Sequence, residues 1–382
     1  MRITIVTGFF LPVPAVRGGA IEKIWHGLAR LFAAQGHEVT FVSRSWPGMP
    51  ESGMEEGVRH IRRPGFDHTK NLPMNLLLDA LWGVRVSWAL PEADIVICNT
   101  ITLPIWLHAV KPSAGKVAVM IGRTPKGQVG FYRGVARIYV LSSAIAALIP
   151  EGIFRSRTRV VGCPIDWPLL SRACAPKGTT ATLGFVGRIH PEKGIELLLR
   201  AACLLAERTD LPAWRIRLVG PVDIASGGGG HGWLDPLKRE YSRKLGDRIE
   251  WLPPEFQPEA LARLYGSMDI FCYPSLAEKG ETFGVAAAEA MAAGCATVVS
   301  ALGCFNDFVR NGETGLVFDH AGENPQQLLA DCLGSLIADP LFRRELASRG
   351  QREARRFDFP EVAERILNDL AVLTGQPAQK RG

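Results

Sequence analysis

Two cations flank a tight turn in the middle of this chain: Gly187-Arg188, then Lys193-Gly194, just after an apolar run at 182–186 that reads as a strand. At the mouth of a cleft such a pair suits a diphosphate. A guanidinium grips two oxygens in a fixed fork, and an ammonium adds a mobile point charge. The alternative is a pair of solvated loop charges. Farther on, residues 274–294 hold two carboxylates, Glu281 and Glu289, with seven residues between them. Glu281 falls in a loop before a helix expected over 284–293, and Glu289 falls on that helix. The backbone N–H groups of Thr282, Phe283 and Gly284 form the helix start, where an anion is favoured. Glu289 sits among apolar residues from Val285 onward, and a buried carboxylate needs a partner. That partner is a ligand hydroxyl or a structural hydrogen bond. A second glycine-marked terminus, Gly18-Gly19, precedes a helix at 20–35 and reads as an anion site or as a simple turn. Residues 303–315 read as a turn and short helix with a structural role.

Positioning these groups requires strands that end where helices begin. The chain alternates accordingly, with strands at 3–6, 38–43, 94–98, 116–121 and 137–141, and a helix at 20–35 closed by Gly36. A looser stretch, 162–182, carries Pro164, Pro168, Pro176 and Gly178 and reads as an interdomain linker. A second series follows: strands at 182–186, 214–219, 249–252, 269–273, 296–300 and 315–318, with helices at 194–208, 258–266 and 284–293. Helices near 325–338, 340–355 and 360–374 end the chain. Alternation of this kind predicts parallel sheets with crossovers. The expected class is α/β: two Rossmann-like, doubly wound domains facing each other across a cleft. Their spans are 1–165, 166–358 and a returning helix with its tail at 359–382. Residues 226–232 (Ser-Gly-Gly-Gly-Gly-His-Gly) read as a mobile surface loop, because no strand-to-helix context is evident around them.

Composition narrows the class further. With 47% hydrophobic and 21% charged residues and no Gly-X-Y period, disorder and collagen are excluded. The longest apolar-looking stretch, 283–302, is interrupted by Glu289 and Gly294, so no membrane span is expected. The N-terminal run lacks the features of a signal peptide. The eight cysteines include no Cys-x-x-Cys pair, which suggests reduced thiols and a cytoplasmic protein without a structural metal. Charge is uneven: residues 1–160 carry +9, and residues 101–150 hold six basic side chains and no acid. This is a solvated basic face, or a surface for an anionic acceptor or membrane leaflet. Residues 72–88 are apolar enough to be a core helix, or an interfacial one presenting Leu77, Leu81 and Trp88 with Trp82 nearby.

Taken together, the segments resemble the retaining nucleotide-sugar glycosyltransferases of family four, which have the GT-B fold. The resemblance runs from Pro14…Gly18-Gly19 and Gly36-His37-Glu38-Val39-Thr40 through Phe185-Val186-Gly187-Arg188…Lys193-Gly194. It continues in Tyr273-Pro274-Ser275…Glu281-x7-Glu289-Ala290-Met291-Ala292 and ends at Asn311-Gly312-Glu313-Thr314-Gly315. It implies transfer of a hexosyl group from a UDP- or GDP-sugar to a glycan or lipid-linked acceptor, with no metal, no cofactor and no nucleic-acid partner. By resemblance, Gly18 and Gly19 lie against the donor diphosphate and Arg188 and Lys193 neutralise it. Glu281 contacts sugar hydroxyls and Glu289 the ribose. The backbone from Thr282 through Phe283, Gly284 and Val285 approaches sugar and phosphates. The resemblance also implies front-side attack, with Glu281, Arg188 and Lys193 as the catalytic set, in cell-envelope or exopolysaccharide synthesis. Relatives often carry a His after the strand at 117–121. Here that position reads Ile121-Gly122-Arg123-Thr124-Pro125-Lys126, which leaves Arg123 or Lys126 for the acceptor side, and Asp307 stands where relatives often have Glu. A sugar-nucleotide epimerase and a catalytically silent nucleotide-sugar-binding subunit remain alternatives.

Overall fold

Strands that are buried on both faces read as continuous apolar runs, and Ile3, Ile5 and Val6 or Ile95–Cys98 are of that kind. The computed structural model describes residues 1–174 and 178–376 and resolves into two units, Met1–Pro164 with the chain from Phe359 onward, and Ile165–Asp358.

In the first unit the strands are β1 (Arg2–Val6), β2 (Glu38–Arg44), β3 (Ser52–Glu55), β4 (Val58–Arg63), β5 (Ile95–Cys98), β6 (Lys116–Ile121), β7 (Arg137–Val140) and β8 (Thr158–Val160). They form one sheet in the order β3-β4-β2-β1-β5-β6-β7-β8, parallel except for β3. Its helices are α1 (Ala20–Ala34), α2 (Leu72–Ala89), α3 (Leu103–Val110), α4 (Ser143–Ala147) and α5 (Ile153–Ser156). The sequence reading missed β3, β4 and the short β8. Their charges hide them: buried Arg62 on β4 is tolerated because its guanidinium bonds Glu55 Oε1 at 2.7 Å and the carbonyls of Val13 and Pro50.

The second unit begins with α6 (Trp167–Arg172), inside the stretch read as a linker. Pro176 of that linker lies outside the described residues. Its sheet, β11-β10-β9-β12-β13-β14, is parallel. The strands are β9 (Ala181–Val186), β10 (Trp214–Val219), β11 (Ile249–Leu252), β12 (Ile270–Tyr273), β13 (Ala296–Ser300) and β14 (Leu316–Phe318). The helices are α7 (Ile195–Ala206), α8 (His231–Leu245), α9 (Pro258–Gly266), α10 (Val285–Ala292), α11 (Pro325–Ala338) and α12 (Pro340–Ala354). The last helix, α13 (Phe359–Thr374), packs in the first unit. The Phe359 ring lies against Gly27 of α1, and Asp369 accepts from Arg137 Nε at 2.8 Å and Tyr139 Oη at 2.8 Å.

The glycine run 226–232 corrects the sequence reading. It does have a strand-to-helix context, following β10 and running into the first residues of α8. The helix escaped notice because its surface is largely polar and its first turns contain Gly232 and Pro236.

Among their parallel strands, both sheets reverse order once. In the first unit the reversal falls between β1 and β5, and in the second between β9 and β12. At such a switch point the loops beyond the strand ends diverge and leave a crevice.

Candidate functional site

The second unit's switch point holds the residues singled out from sequence. Beyond β9 the chain runs through Gly187-Arg188 into a short 3-10 turn, Pro191–Lys193, in which His190 Nδ1 accepts from the Glu192 N–H at 3.2 Å. Gly194 then turns into α7 with φ +70°. A Cβ there would run into the Pro274 carbonyl oxygen, so only glycine lets the two loops touch. That contact brings Lys193 to the end of β12. Its Nζ donates to Glu281 Oε2 at 2.6 Å and sits 5.4 Å from the centre of the Tyr273 ring. Both side chains of the pair are largely buried, 6% and 10% exposed, so the pair is desolvated as well as close. Ser275 Oγ donates to the same carboxylate oxygen at 3.1 Å. Burial first, and then the Glu281 charge, push the Tyr273 hydroxyl well above its ordinary range, so it stays a neutral donor. The loop carrying Glu281 is pinned from both sides. Leu276 N–H donates to the Glu192 carbonyl at 2.8 Å, and Ser300 Oγ donates to the Ser275 carbonyl at 2.6 Å.

Arg188 is half exposed and already engaged. Its guanidinium donates to Glu192 Oε1 at 2.7 Å and to the Gly227 carbonyl at 2.8 Å. Sequence reasoning missed Glu192 as its partner, although it lies four residues on. It also missed the glycine-rich loop that Arg188 holds beside the strand ends.

Glu289 occupies α10, and Tyr265 Oη of α9 donates to its Oε2 at 3.0 Å. Tyr265 is fully buried, and burial first and then Glu289 raise its pKa well above the ordinary value. Glu289 itself is half-buried, and one partner of its carboxylate is therefore a protein hydroxyl. At the start of α10 no side chain caps the helix. Phe283 points inward, packing 5.0 Å from the rings of both Phe308 and Phe357, so only its backbone faces the helix terminus.

In the first unit, Gly18 and Gly19 both have positive φ, and Gly19 caps α1 without a side chain. A Cβ on Gly19 would overlap the Glu22 carboxylate, which has folded back on this first turn. Glu22 is buried, and burial, partly offset by its own backbone N–H and by Arg123, raises its pKa. The terminus read as an anion site thus holds one of the chain's own carboxyl groups. A carboxylate three residues after the glycine pair was the available signal. Gly122 packs against Ile21 of α1, which brings the exposed Arg123 near this turn, and exposed Lys126 follows. Among the described residues, no group of three or more His, Cys, Asp or Glu is arranged to hold a metal ion.

Two sheets of parallel strands, each doubly wound, with a last helix returning to the first unit, define the GT-B class. Solved structures of that class match nearly the whole chain. Sucrose-phosphate synthase from Thermosynechococcus elongatus aligns with a TM-score of 0.77 at 20% identity, covering 98% of this chain and 99% of that one. Anabaena HepE in complex with UDP-glucose aligns at 0.67 and 19% identity, covering 97% and 100%. Residues 170–353, which fall within the second unit, match the family model described as glycosyl transferases group 1. The D-inositol 3-phosphate glycosyltransferase of Rhodococcus opacus is 34% identical over 203 residues, 52% of this chain and 42% of that protein. That of Thermomonospora curvata is 36% identical over 193 residues, 50% and 42%. The matched part of the chain thus spans less than half the length of these relatives.

Proposed function

We propose that this protein is a retaining glycosyltransferase of family four. It moves a hexosyl group from a UDP- or GDP-sugar to a glycan or lipid-linked acceptor at the cytoplasmic side of a cell envelope. The observation that carries the reading is the desolvated Lys193–Glu281 pair at the β9/β12 switch point. It stands beside Arg188 and the uncapped start of α10, inside the segment that matches the group 1 family.

Breaking a sugar–phosphate bond builds positive charge on the sugar and negative charge on the departing diphosphate. Lys193, Arg188 and the N–H groups at the α10 start would stabilise the leaving anion electrostatically, usually the largest catalytic term. A diphosphate arriving at Arg188 competes with Glu192 for the guanidinium, and one arriving at Lys193 shares the ammonium with Glu281. Glu281 then accepts from sugar hydroxyls, and Glu289, oriented by Tyr265, accepts from the ribose. In the first unit, Arg123 or Lys126 serves the acceptor. Both glutamates serve binding in this scheme, so attack comes from the face the diphosphate leaves, and the leaving phosphate takes the acceptor's proton.

The test is release of UDP or GDP from a panel of nucleotide sugars, with and without extracted glycan and lipid acceptors. Turnover of at least one donor is expected, falling ~10²–10³-fold in Arg188→Ala and in Lys193→Ala. The reading fails if no donor is turned over and none binds more tightly than ~1 mM.

A further inference from the structure

Helix α2 is apolar on both sides, which a helix on a water-facing surface is not. Its inner face is accounted for. Trp82 and Val86 are fully buried, Trp82 Nε1 donates to the Thr7 carbonyl at 2.9 Å, and Asp79 accepts from the Thr102 N–H and hydroxyl at 2.8 and 2.7 Å. Trp82, read from sequence as lying near the interfacial face, belongs to the core. The outer face runs Leu77, Leu81, Val84, Trp88, the spacing of one helical stripe about 16 Å long. Those residues are 54%, 48%, 53% and 85% exposed. Scattered exposed apolar residues need no explanation, but a continuous stripe of them marks a contact surface.

We infer that this stripe docks the first unit onto an anionic lipid surface. Charge decides between occupants. Between Lys70 and Glu92 the only acidic residue is Asp79, and it is buried at the start of α3, so no carboxylate stands on the stripe. At its two ends the exposed carboxylates of Asp67 and Glu92 are neutralised by Arg44 at 2.8 Å and Arg2 at 3.5 Å, and further basic groups rim it. Lys70 is exposed just before the helix. At its far end Lys111 Nζ holds the carbonyls of Ser87 and Leu90 at 2.8 and 2.7 Å, one residue from Trp88. Val110, next to Lys111, is 69% exposed and widens the apolar patch. His108 of the same helix lies against Gly134, beside exposed Arg133. A second copy of this chain docked stripe to stripe would set these cations against one another in a symmetric contact. An anionic bilayer complements them. Among the described residues no helix is long and apolar enough to cross a membrane, so the contact is interfacial, with the side chains of the stripe sunk below the headgroups.

The test needs no nucleotide, so it stands or falls separately from the transferase reading. The full chain is floated with vesicles of phosphatidylcholine alone or mixed with phosphatidylglycerol, at low salt and near 1 M salt, where the Debye length falls to ~3 Å. Binding is expected to the mixed vesicles at low salt, weakening about fivefold for each of Lys70→Gln and Arg133→Gln. It should fall at least ~10-fold in the double variant Leu81→Glu/Trp88→Glu with melting temperature unchanged, since each outer side chain contributes transfer free energy on insertion. The inference is overturned if the wild-type chain floats with neither vesicle or if the double variant floats equally well. It is also overturned if sedimentation shows a dimer that the same double substitution dissociates, because the stripe then belongs to a second copy.

Discussion

Lys193 is placed where removing its charge has two separable consequences. Lys193→Met keeps most of the volume but leaves Glu281 with two neutral donors, the Ser275 hydroxyl at 3.1 Å and the Tyr273 hydroxyl, in a pocket where the carboxylate is 10% exposed. Breaking one side of a buried pair costs ~3–5 kcal/mol, mostly the penalty of an uncompensated charge. We take the lower end, ~3 kcal/mol, because these two hydroxyls remain. For a unit the size of Ile165–Asp358 that is a fall of ~6–12 °C in melting temperature. Adding Glu281→Gln removes the stranded charge. The double variant should therefore be more stable than Lys193→Met, with a coupling energy of ~2 kcal/mol in a double-mutant cycle measured by denaturant unfolding. The second consequence concerns ligand. Wild-type protein should gain ~2.7 kcal/mol of stability from UDP or GDP at a hundredfold excess over Kd, and both Lys193 variants should lose most of that gain. Additive single effects, or a Lys193→Met chain as stable as wild type, would refute the claim that this ion pair is desolvated and coupled.

Gly194→Ala should cost more than ~2 kcal/mol, through the positive φ and the clash with the Pro274 carbonyl, and should weaken nucleotide binding with it; urea unfolding and titration read both. His60 is fully buried against Phe41, with neither ring nitrogen hydrogen-bonded, and burial first, then Arg62, push its pKa from 6.5 down to about 4. Glu55 opposes that shift and His26 adds to it. Because the folded pKa lies below the unfolded one, this group's contribution is complete above pH 6.5 and is lost as pH falls from 6.5 to 4. The first unit should lose ~3 kcal/mol across that window, and His60→Phe should flatten the slope. Asp369→Ala should leave the largely buried Arg137 guanidinium and the Tyr139 hydroxyl without their carboxylate, loosening α13 by ~3 kcal/mol, read as faster amide exchange over residues 359–374.

Alternation of apolar runs with amphipathic helices was enough to read two α/β series, because parallel strands are buried on both faces and helices on one. Charged elements were not legible: β4 carries three arginines, and Arg62 is inside only because Glu55 and two carbonyls meet it. Sequence spacing identified Lys193 and Glu281 separately but could not pair them. They are 88 residues apart and meet because β9 and β12 are neighbours at the switch point. For the same reason the glycine pair could be read only as an anion site or a simple turn, whereas the fold places the Glu22 carboxyl there.

Calorimetric titration of UDP and GDP into the wild-type, Arg188→Ala and Lys193→Met chains tests the central claim most directly. One nucleotide should bind the wild type well below 1 mM, and each variant should lose tenfold or more, ~1.4 kcal/mol. Binding of neither nucleotide, or equal binding by all three chains, would contradict it.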